Sequence, residues 1–294
     1  MFLFRIGVAR LDSLARERNR TMARWIWKDE ERPKDSPPRS LFKYYSPSGI
    51  KKSIEDNTFK WEFPCDENDP FEALASGWDE SAIDREIGRA PTGDKDTLDA
   101  LFKSKRLQDK ISHIVAFVSF AERGNNLLMW SHYAGKHTGA CIEFDTARLE
   151  TIDYFAPVKY DKAEGGKRLR IPLPRNDRGD SDPKYQAEVR KFLSHKANEW
   201  AYEEEWRWIV PPMADCITPK LTDDKFLLVS TIPQDSIKKL IFGYNMPVST
   251  RLALAKLVRK NHKSCTFAEI VPDKEKYLLS VEPLDIDPMI APDK

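Results

Sequence analysis

The segment 127–145 constrains the fold most, because a short run rich in aromatic and imidazole side chains leads directly into a strand. The run Met129–Ala134 (MWSHYA) combines Trp, Ser, His and Tyr, and His137 and Gly139 follow it. A plain core segment would be aliphatic, since buried His and Tyr side chains need polar partners. Mixed apolar and polar crowding is typical of a pocket wall. The sequence therefore predicts that a short helix over 125–134 and the strand after it line a cleft.

Net charge and cysteine usage restrict the classes of protein. Lys plus Arg (48) and Asp plus Glu (47) nearly cancel, so net charge indicates neither nucleic acid nor membrane as a partner. The four cysteines form no C-x-x-C pair, which argues against a zinc knuckle or a disulfide scaffold and favours a reducing compartment. No apolar run approaches the length of a membrane span, and the start Met1–Val8 is a poor secretory signal. Composition predicts a cytoplasmic protein.

Three regions follow one another along the chain. Residues 1–39 combine an Arg-rich amphipathic helix over 5–28 with a Pro-rich linker over 29–39. That helix packs on the domain or on a partner, and an arm for nucleic acid or a membrane surface is the alternative. Residues 40–282 are predicted to form a single domain. The Pro- and Asp-rich tail 283–294 is predicted to be loose.

Short β-prone runs alternate with helical segments in the predicted domain. The predicted strands are 41–45, 58–63, 114–120, 139–144, 158–160, 205–210, 226–230, 240–242 and 265–271. The predicted helices are 50–56, 125–134, 185–197 and 250–260. This order predicts an α+β fold, with a mostly antiparallel split sheet and helices inserted between its strands.

The run Asn68-Asp69-Pro70-Phe71-Glu72 predicts a turn that opens a helical region. Asn and Asp before Pro favour turns, because their side chains bond to nearby backbone, and they also cap helices. This structural role is one interpretation. In the other, a rigid turn presents Asp69 and Glu72 to the cleft.

His132 and His137 do not have the H-x-x-x-H spacing of a helical metal site, and no nearby cysteine completes one. A metal role for the pair is disfavoured. Two interpretations remain open: a hydrogen-bonded, partly buried histidine, or a histidine that contacts a ligand in the cleft.

The second informative segment is Trp200–Arg207 (WAYEEEWR), in which three carboxylates stand among aromatic residues at the start of a strand. In an alternating strand Glu205 and Arg207 point to one face. Trp206 and Trp208 then point to the other face. The Glu205–Arg207 pair is either a structural ion pair or an oriented catalytic carboxylate with its partner.

With these residues in view, the chain resembles a bacterial family known as domain of unknown function 2971. The resemblance covers about residues 40–282. It is carried by Lys43-Tyr44, Asn68–Glu72, Met129–Ala134 with His137 and Gly139, and Tyr202-Glu203 with Glu205–Arg207. Members are often found in mobile and defence-associated gene neighbourhoods. The resemblance thus implies a toxin or effector of a bacterial anti-phage defence system, or a partner protein within a defence or toxin–antitoxin system.

The motif order is also similar to that of ADP-ribosyltransferases. This likeness implies a related fold and NAD as substrate. It leaves the acceptor of the ADP-ribose open, which could be a protein, a nucleic acid or a small molecule. Lys43 or Tyr44 would contact NAD from the first strand. Glu205 would bond the ribose and stabilise its developing positive charge, while Arg207 orients Glu205 and keeps it ionised.

The second strand departs from that pattern, since FKWEF over 59–63 has no Ser-Thr-Ser or Tyr. Trp61 or Phe63 would stack on nicotinamide instead. His132 and Tyr133 would act in the pocket or on its acceptor side. The remaining residues expected to line the NAD site are Asn68, Asp69 and Trp130.

Two other functions remain open. A metal-dependent nuclease would gather a divalent ion with Asp69, Glu72, Glu205 and His132. Its phosphate-binding patches would be Arg10–Arg24 and Lys167–Arg175. A non-catalytic, antitoxin-like or sensor domain would use the aromatic cleft to bind a ligand or partner.

Overall fold

The structure is a computed structural model that describes residues 37–69, 71, 88, 116–149, 155–161, 191–210, 216–221 and 226–286. Several predictions fall outside these residues. They are the basic helix over 5–28, most of the linker 29–39, Glu72, the basic patch Lys167–Arg175, the start of the helix predicted over 185–197, and the end of the tail 283–294.

Strands are the dominant elements of the described chain. They are β1 (Ser40–Tyr45), β2 (Thr58–Trp61), β3 (Ala116–Ala121), β4 (Ala140–Asp145), β5 (Phe155–Pro157), β6 (Lys159–Asp161), β7 (His195–Ala197), β8 (Glu205–Val210), β9 (Thr218–Leu221), β10 (Phe226–Thr231), β11 (Ile237–Phe242), β12 (Thr266–Pro272) and β13 (Leu279–Pro283). The α-helices are α1 (Pro47–Asp56), α2 (Leu127–His132) and α3 (Val248–Val258). Short 3-10 turns span Pro64–Asp66, Thr146–Arg148 and Asn198–Glu203.

The described strands form one large sheet and two small ones. The large sheet has the order β13-β12-β11-β4-β1-β3-β8-β5. Its neighbours are antiparallel except β11 and β12, which are parallel and joined through α3. A second, antiparallel sheet has the order β2-β10-β9, and β6 pairs with β7 in parallel. The predicted α+β class and the mostly antiparallel sheet are confirmed.

An aromatic core fills the space between the large sheet and the β2-β10-β9 sheet. The ring of Phe59 lies 5.0 Å from that of Phe144 and 5.9 Å from that of Phe120, measured between centroids. Trp61 contacts Trp208 at a centroid distance of 4.8 Å. Burying each such side chain contributes roughly 1.5–3 kcal/mol. This packing holds the small sheet against the centre of the large one.

Three predicted boundaries are wrong. The helix predicted over 185–197 does not reach its end, because residues 195–197 pair with β6 as β7. The strand predicted to be the last is followed by β13, which pairs with β12 in antiparallel fashion. The strand predicted over 58–63 ends at Trp61, and Glu62 makes only an isolated bridge to Phe117. In the first case a partner strand distant in sequence decides the backbone conformation.

Candidate functional site

A cavity of about 680 Å³ lies where the β2-β10-β9 sheet, α1 and the middle of the large sheet meet. Ligand pockets typically measure about 300–1,000 Å³, so the cavity has room for a ligand of nucleotide size. Both signs of charge line it. The charged lining residues are Lys43, Lys52, Asp56, Lys60, Glu62, Glu67, Lys196, Glu203, Glu205 and Lys220.

Strand β8 contributes Glu205 to the cavity lining, and the alternation of its side chains explains why. Trp206 and Trp208 point into the aromatic core. Glu205 points to the opposite face and lines the cavity, with Arg207 buried beside it. The predicted division of the two faces of β8 is confirmed. It arises because successive strand residues point to opposite sides of the sheet.

Glu205 is held by four hydrogen bonds. Oε1 accepts from Ser119 Oγ at 2.6 Å and from Arg207 Nε at 2.8 Å. Oε2 lies 2.7 Å from Lys196 Nζ and accepts from Arg207 Nη2 at 3.2 Å. A carboxylate offers about four acceptor positions, so these four bonds occupy all of them. The structural ion pair that the sequence left open is therefore present.

Glu205 stays ionised despite its burial. Desolvation disfavours the charged form, but the nearby cations Arg207 and Lys196 outweigh it and hold the pKa of Glu205 at about 2. Arg207 is fixed in turn, since its Nη1 donates to the Leu193 carbonyl oxygen at 2.7 Å. Its guanidinium also lies 4.5 Å from the centroid of the Phe117 ring.

Lys196 links Glu205 to a second buried carboxylate, Glu203. Its Nζ donates to Glu203 Oε2 at 2.8 Å. The hydroxyl of Tyr133 donates to Glu203 Oε1 at 2.5 Å, and Asn68 Nδ2 donates to that hydroxyl at 3.1 Å. One network thus joins three of the four segments on which the resemblance depends. We call Glu67, Lys196, Glu203 and Glu205 the acidic wall of the cavity.

Glu67 is the carboxylate of the acidic wall that titrates near neutrality. Burial raises its pKa to about 7, and the negative charges of Glu62 and Glu205 add to the effect. The cations Arg207 and Lys196 offset part of this shift. A carboxyl group with such a pKa can accept or release a proton under physiological conditions.

The predicted residues of β1 reach the cavity in different ways. Lys43 lines it, and its Nζ donates to the Ser119 carbonyl oxygen at 3.2 Å. Tyr44 also belongs to the lining, but its hydroxyl donates to the Arg123 carbonyl oxygen at 2.7 Å. Lys43 is thus the cation of β1 at the site. Tyr44 anchors the loop that precedes α2.

The aromatic residues predicted to stack on nicotinamide lie elsewhere. Trp61 is buried in the core, where its Nε1 donates to Ser230 Oγ at 2.8 Å. Phe63 packs against the same core. Trp130 is fully buried, and its Nε1 donates to the Gly124 carbonyl oxygen at 2.9 Å. Core packing accounts for these side chains, and none of them lines the described cavity wall.

The two predicted histidines lie in α2 or shortly after it, and neither lines the cavity. His132 is exposed, and its Nδ1 lies 3.1 Å from the hydroxyl of Tyr202. His137 stacks on Trp130 at a centroid distance of 6.2 Å, and burial lowers its pKa. In this motif Tyr133, rather than a histidine, reaches the cavity.

Asp69 and Gly139 have structural roles. Asp69 is buried, and its Oδ1 accepts from the Phe71 backbone N–H at 2.8 Å, so the predicted turn is confirmed. Gly139 lies where the chain enters β4, and a Cβ there would collide with the Tyr45 carbonyl oxygen. Only glycine fits such a close backbone approach.

Metal ligands do not gather in the described part of the chain. No group of three or more His, Cys, Asp or Glu side chains suited to a metal ion was found there. Asp69 bonds its own turn, Glu205 bonds cations, and His132 bonds Tyr202. Glu72, the remaining ligand of the nuclease hypothesis, lies outside the described residues.

Sequence reasoning did not select Glu67, Lys196, Glu203 or Ser119 as site residues. Glu67 directly precedes the Asn68-Asp69 turn, and Glu203 belongs to the acidic run at the start of β8. Their proximity to these motifs was an available signal. Lys196 lies in a segment predicted to be helical and had no comparable signal.

Comparisons with known proteins bear on the same network. Residues 129–208 match the family model described as protein of unknown function (DUF2971). This span begins in the MWSHYA segment and ends in β8, so the match supports the family resemblance over these residues. Searches of curated proteins and of solved structures found no significant match. No helix in the described residues is long and apolar enough to cross a membrane.

Proposed function

We propose that the cavity binds NAD and cleaves the bond between nicotinamide and ribose, as an ADP-ribosyltransferase-like enzyme. One observation carries this proposal: the acidic wall combines Glu205, which is ionised at neutral pH, with Glu67, whose pKa is about 7. A fixed charge framework and a titratable carboxylate are the parts that glycosidic cleavage and proton transfer require.

The charge balance of the wall favours Glu67 for the reactive role. Glu203 and Glu205 are neutralised by Lys196 and Arg207, which contact them directly. Ionised Glu67 then adds net negative charge to this wall. As the glycosidic bond breaks, its electron pair leaves with nicotinamide, and positive charge develops on the ribose. A carboxylate in a partly desolvated site stabilises that charge more strongly than one in water.

Glu67 also accounts for the proton of the transfer step. An acceptor hydroxyl or amine gives an electron pair to the ribose carbon and loses a proton. Ionised Glu67 is the group that takes this proton, because its pKa lies close to neutral pH. Glu205 acts as a positioning residue in this scheme, since its acceptor positions hold Ser119, Lys196 and Arg207.

The aromatic residues of the cavity lining favour a ligand with a flat ring. Phe42, Tyr44, Tyr45 and Tyr133 all contribute to the cavity surface. Aromatic side chains favour contact with planar heterocycles. These residues replace Trp61 and Phe63 as the proposed contacts of nicotinamide.

The biological part of the proposal rests on the family resemblance. The acceptor of the ADP-ribose is a protein or a nucleic acid. The enzyme acts in the cytoplasm as a toxin or effector of a bacterial defence system.

Release of nicotinamide from NAD by the purified protein tests the proposal. We expect Glu67→Gln to lower kcat about 10²- to 10⁴-fold, the usual contribution of a general acid or base. Glu204→Gln is the matched control, because Glu204 pairs with Arg123 at the protein surface. Binding of NAD without release would make the domain a binding module. Absence of both binding and release, with protein and nucleic-acid acceptors present, would overturn the proposal.

A further inference from the structure

A second part of the cavity wall carries lysines instead of carboxylates. Lys60 of β2 is paired with Val229 of β10, and Lys220 of β9 is paired with Leu227. Cross-strand partners share a face, so these four side chains form one surface of the small sheet. All four line the cavity. The opposite face, with Phe59 and other apolar residues, packs into the core.

Helix α1 adds a third lysine to this surface. Ser48, Lys52 and Asp56 follow one another at intervals of four residues and all line the cavity. Residues at this spacing lie on one side of a helix. Asp56 Oδ2 lies 3.2 Å from Lys220 Nζ, which ties the end of α1 to β9. We call Lys52, Lys60 and Lys220 the lysine wall.

The lysine wall keeps an excess of positive charge. Lys60 pairs with Glu62 at 2.9 Å, and Lys220 pairs with Asp56 at 3.2 Å. Lys52 is exposed and has no carboxylate partner within the described ranges. Three lysines and two carboxylates thus leave one net positive charge beside the apolar surface of Leu227 and Val229.

We infer that the lysine wall binds a phosphate group, so that the ligand class of the cavity is a phosphorylated nucleoside. The inference rests on the proposed function. There the acidic wall acts on the ribose of NAD, and here the lysine wall binds the phosphate groups of the same ligand. Lysine ammonium groups bind phosphate as point charges. Leu227 and Val229 offer apolar contact to the base or sugar next to that phosphate.

Calorimetric titration with ADP, adenosine and inorganic pyrophosphate tests the inference. We expect ADP to bind at least about tenfold more tightly than adenosine, since one charge-assisted bond accounts for such a factor. Pyrophosphate should compete with ADP. Lys52→Ala should weaken ADP binding about tenfold and leave adenosine binding unchanged. Higher ionic strength should weaken ADP binding, because the lysines are exposed.

Lys51→Ala is the matched control for Lys52→Ala. Lys51 is the neighbouring residue of α1 and its side chain is 67% exposed. Its Nζ lies 3.8 Å from Glu55 Oε1, and Lys51 does not line the cavity. The control should bind ADP like the unmodified protein. Equal affinity for adenosine and ADP, or equal losses in the two lysine variants, would overturn the inference.

Nicotinamide release measured in the same variants separates this inference from the proposed function. Binding of ADP that depends on Lys52, without release from NAD, would uphold the phosphate site and refute the catalysis. Release from NAD with an unchanged KM in Lys52→Ala would uphold the catalysis and refute the phosphate site.

Discussion

Tyr133 donates a hydrogen bond of 2.5 Å to Glu203, across 70 positions of the sequence. This bond joins the MWSHYA segment to the acidic run before β8. Asn68 extends the connection, since its Nδ2 donates to the Tyr133 hydroxyl at 3.1 Å. The three segments are therefore parts of a single network around the cavity.

Tyr133→Phe removes the donor to Glu203 and leaves Asn68 without its acceptor. We expect a loss of about 1.5–3 kcal/mol in the free energy of unfolding, the usual value for a hydrogen bond to a charged group. Urea denaturation at neutral pH measures this loss. Tyr277→Phe is the control, because the Tyr277 side chain is fully exposed. Equal effects of the two substitutions would contradict the importance of the network.

Lys196→Met removes the cation that Glu203 and Glu205 share. Both carboxylates are buried, so we expect a destabilisation of about 3–5 kcal/mol. Adding Glu203→Gln to this variant should restore part of the loss, since it removes one of the uncompensated charges. Denaturation curves of both single variants and of the double variant give the coupling free energy between Lys196 and Glu203. A double variant less stable than Lys196→Met would show that the bridge is not the source of the effect.

Glu205→Gln leaves the buried guanidinium of Arg207 without its carboxylate partner. We expect it to destabilise the fold by about 3–5 kcal/mol at neutral pH. The stabilisation from Glu205 is present above its ordinary pKa of 4.5 and is lost as pH falls towards about 2. The unmodified protein should therefore lose stability over this window more steeply than the variant. Parallel acid denaturation curves would contradict the ion pair.

Glu67→Gln should have the opposite pH dependence. The folded-state pKa of Glu67 is raised to about 7 from 4.5, so its contribution to stability is present below 4.5 and is lost as pH rises through 7. Glutamine does not ionise. The Tm of the variant minus the Tm of the unmodified protein should thus be larger at pH 8 than at pH 5. Thermal melts at the two pH values measure the difference, and an equal offset at both would refute the raised pKa.

The alternation of β8 could be predicted from sequence, because tryptophans and charged residues occupy alternate positions. The other predicted strands of the large sheet are present with small boundary errors, but β5 and β13 were not predicted. β7 was not predicted either, since a three-residue strand carries no periodicity and depends on its pairing with β6. Lys196 was missed together with it.

The position of Glu67 beside the Asn68-Asp69 turn was visible in the sequence, but its raised pKa was not, because that pKa depends on groups that are distant along the chain. Glu205, Arg207 and Lys196 come from β8 and β7, more than 100 residues away. Trp61 and Trp130 illustrate the converse. Their residue type indicated a pocket, but a tryptophan with one bonded N–H is equally suited to a core.

The first measurement is the rate of nicotinamide release from NAD as a function of pH. We expect a rate that rises with pH through about 7 as Glu67 ionises, and a low rate without this step in Glu67→Gln. A profile that is unchanged by the substitution would contradict the role of Glu67. Absence of release at every pH, with protein and nucleic-acid acceptors present, would contradict the proposed catalysis itself.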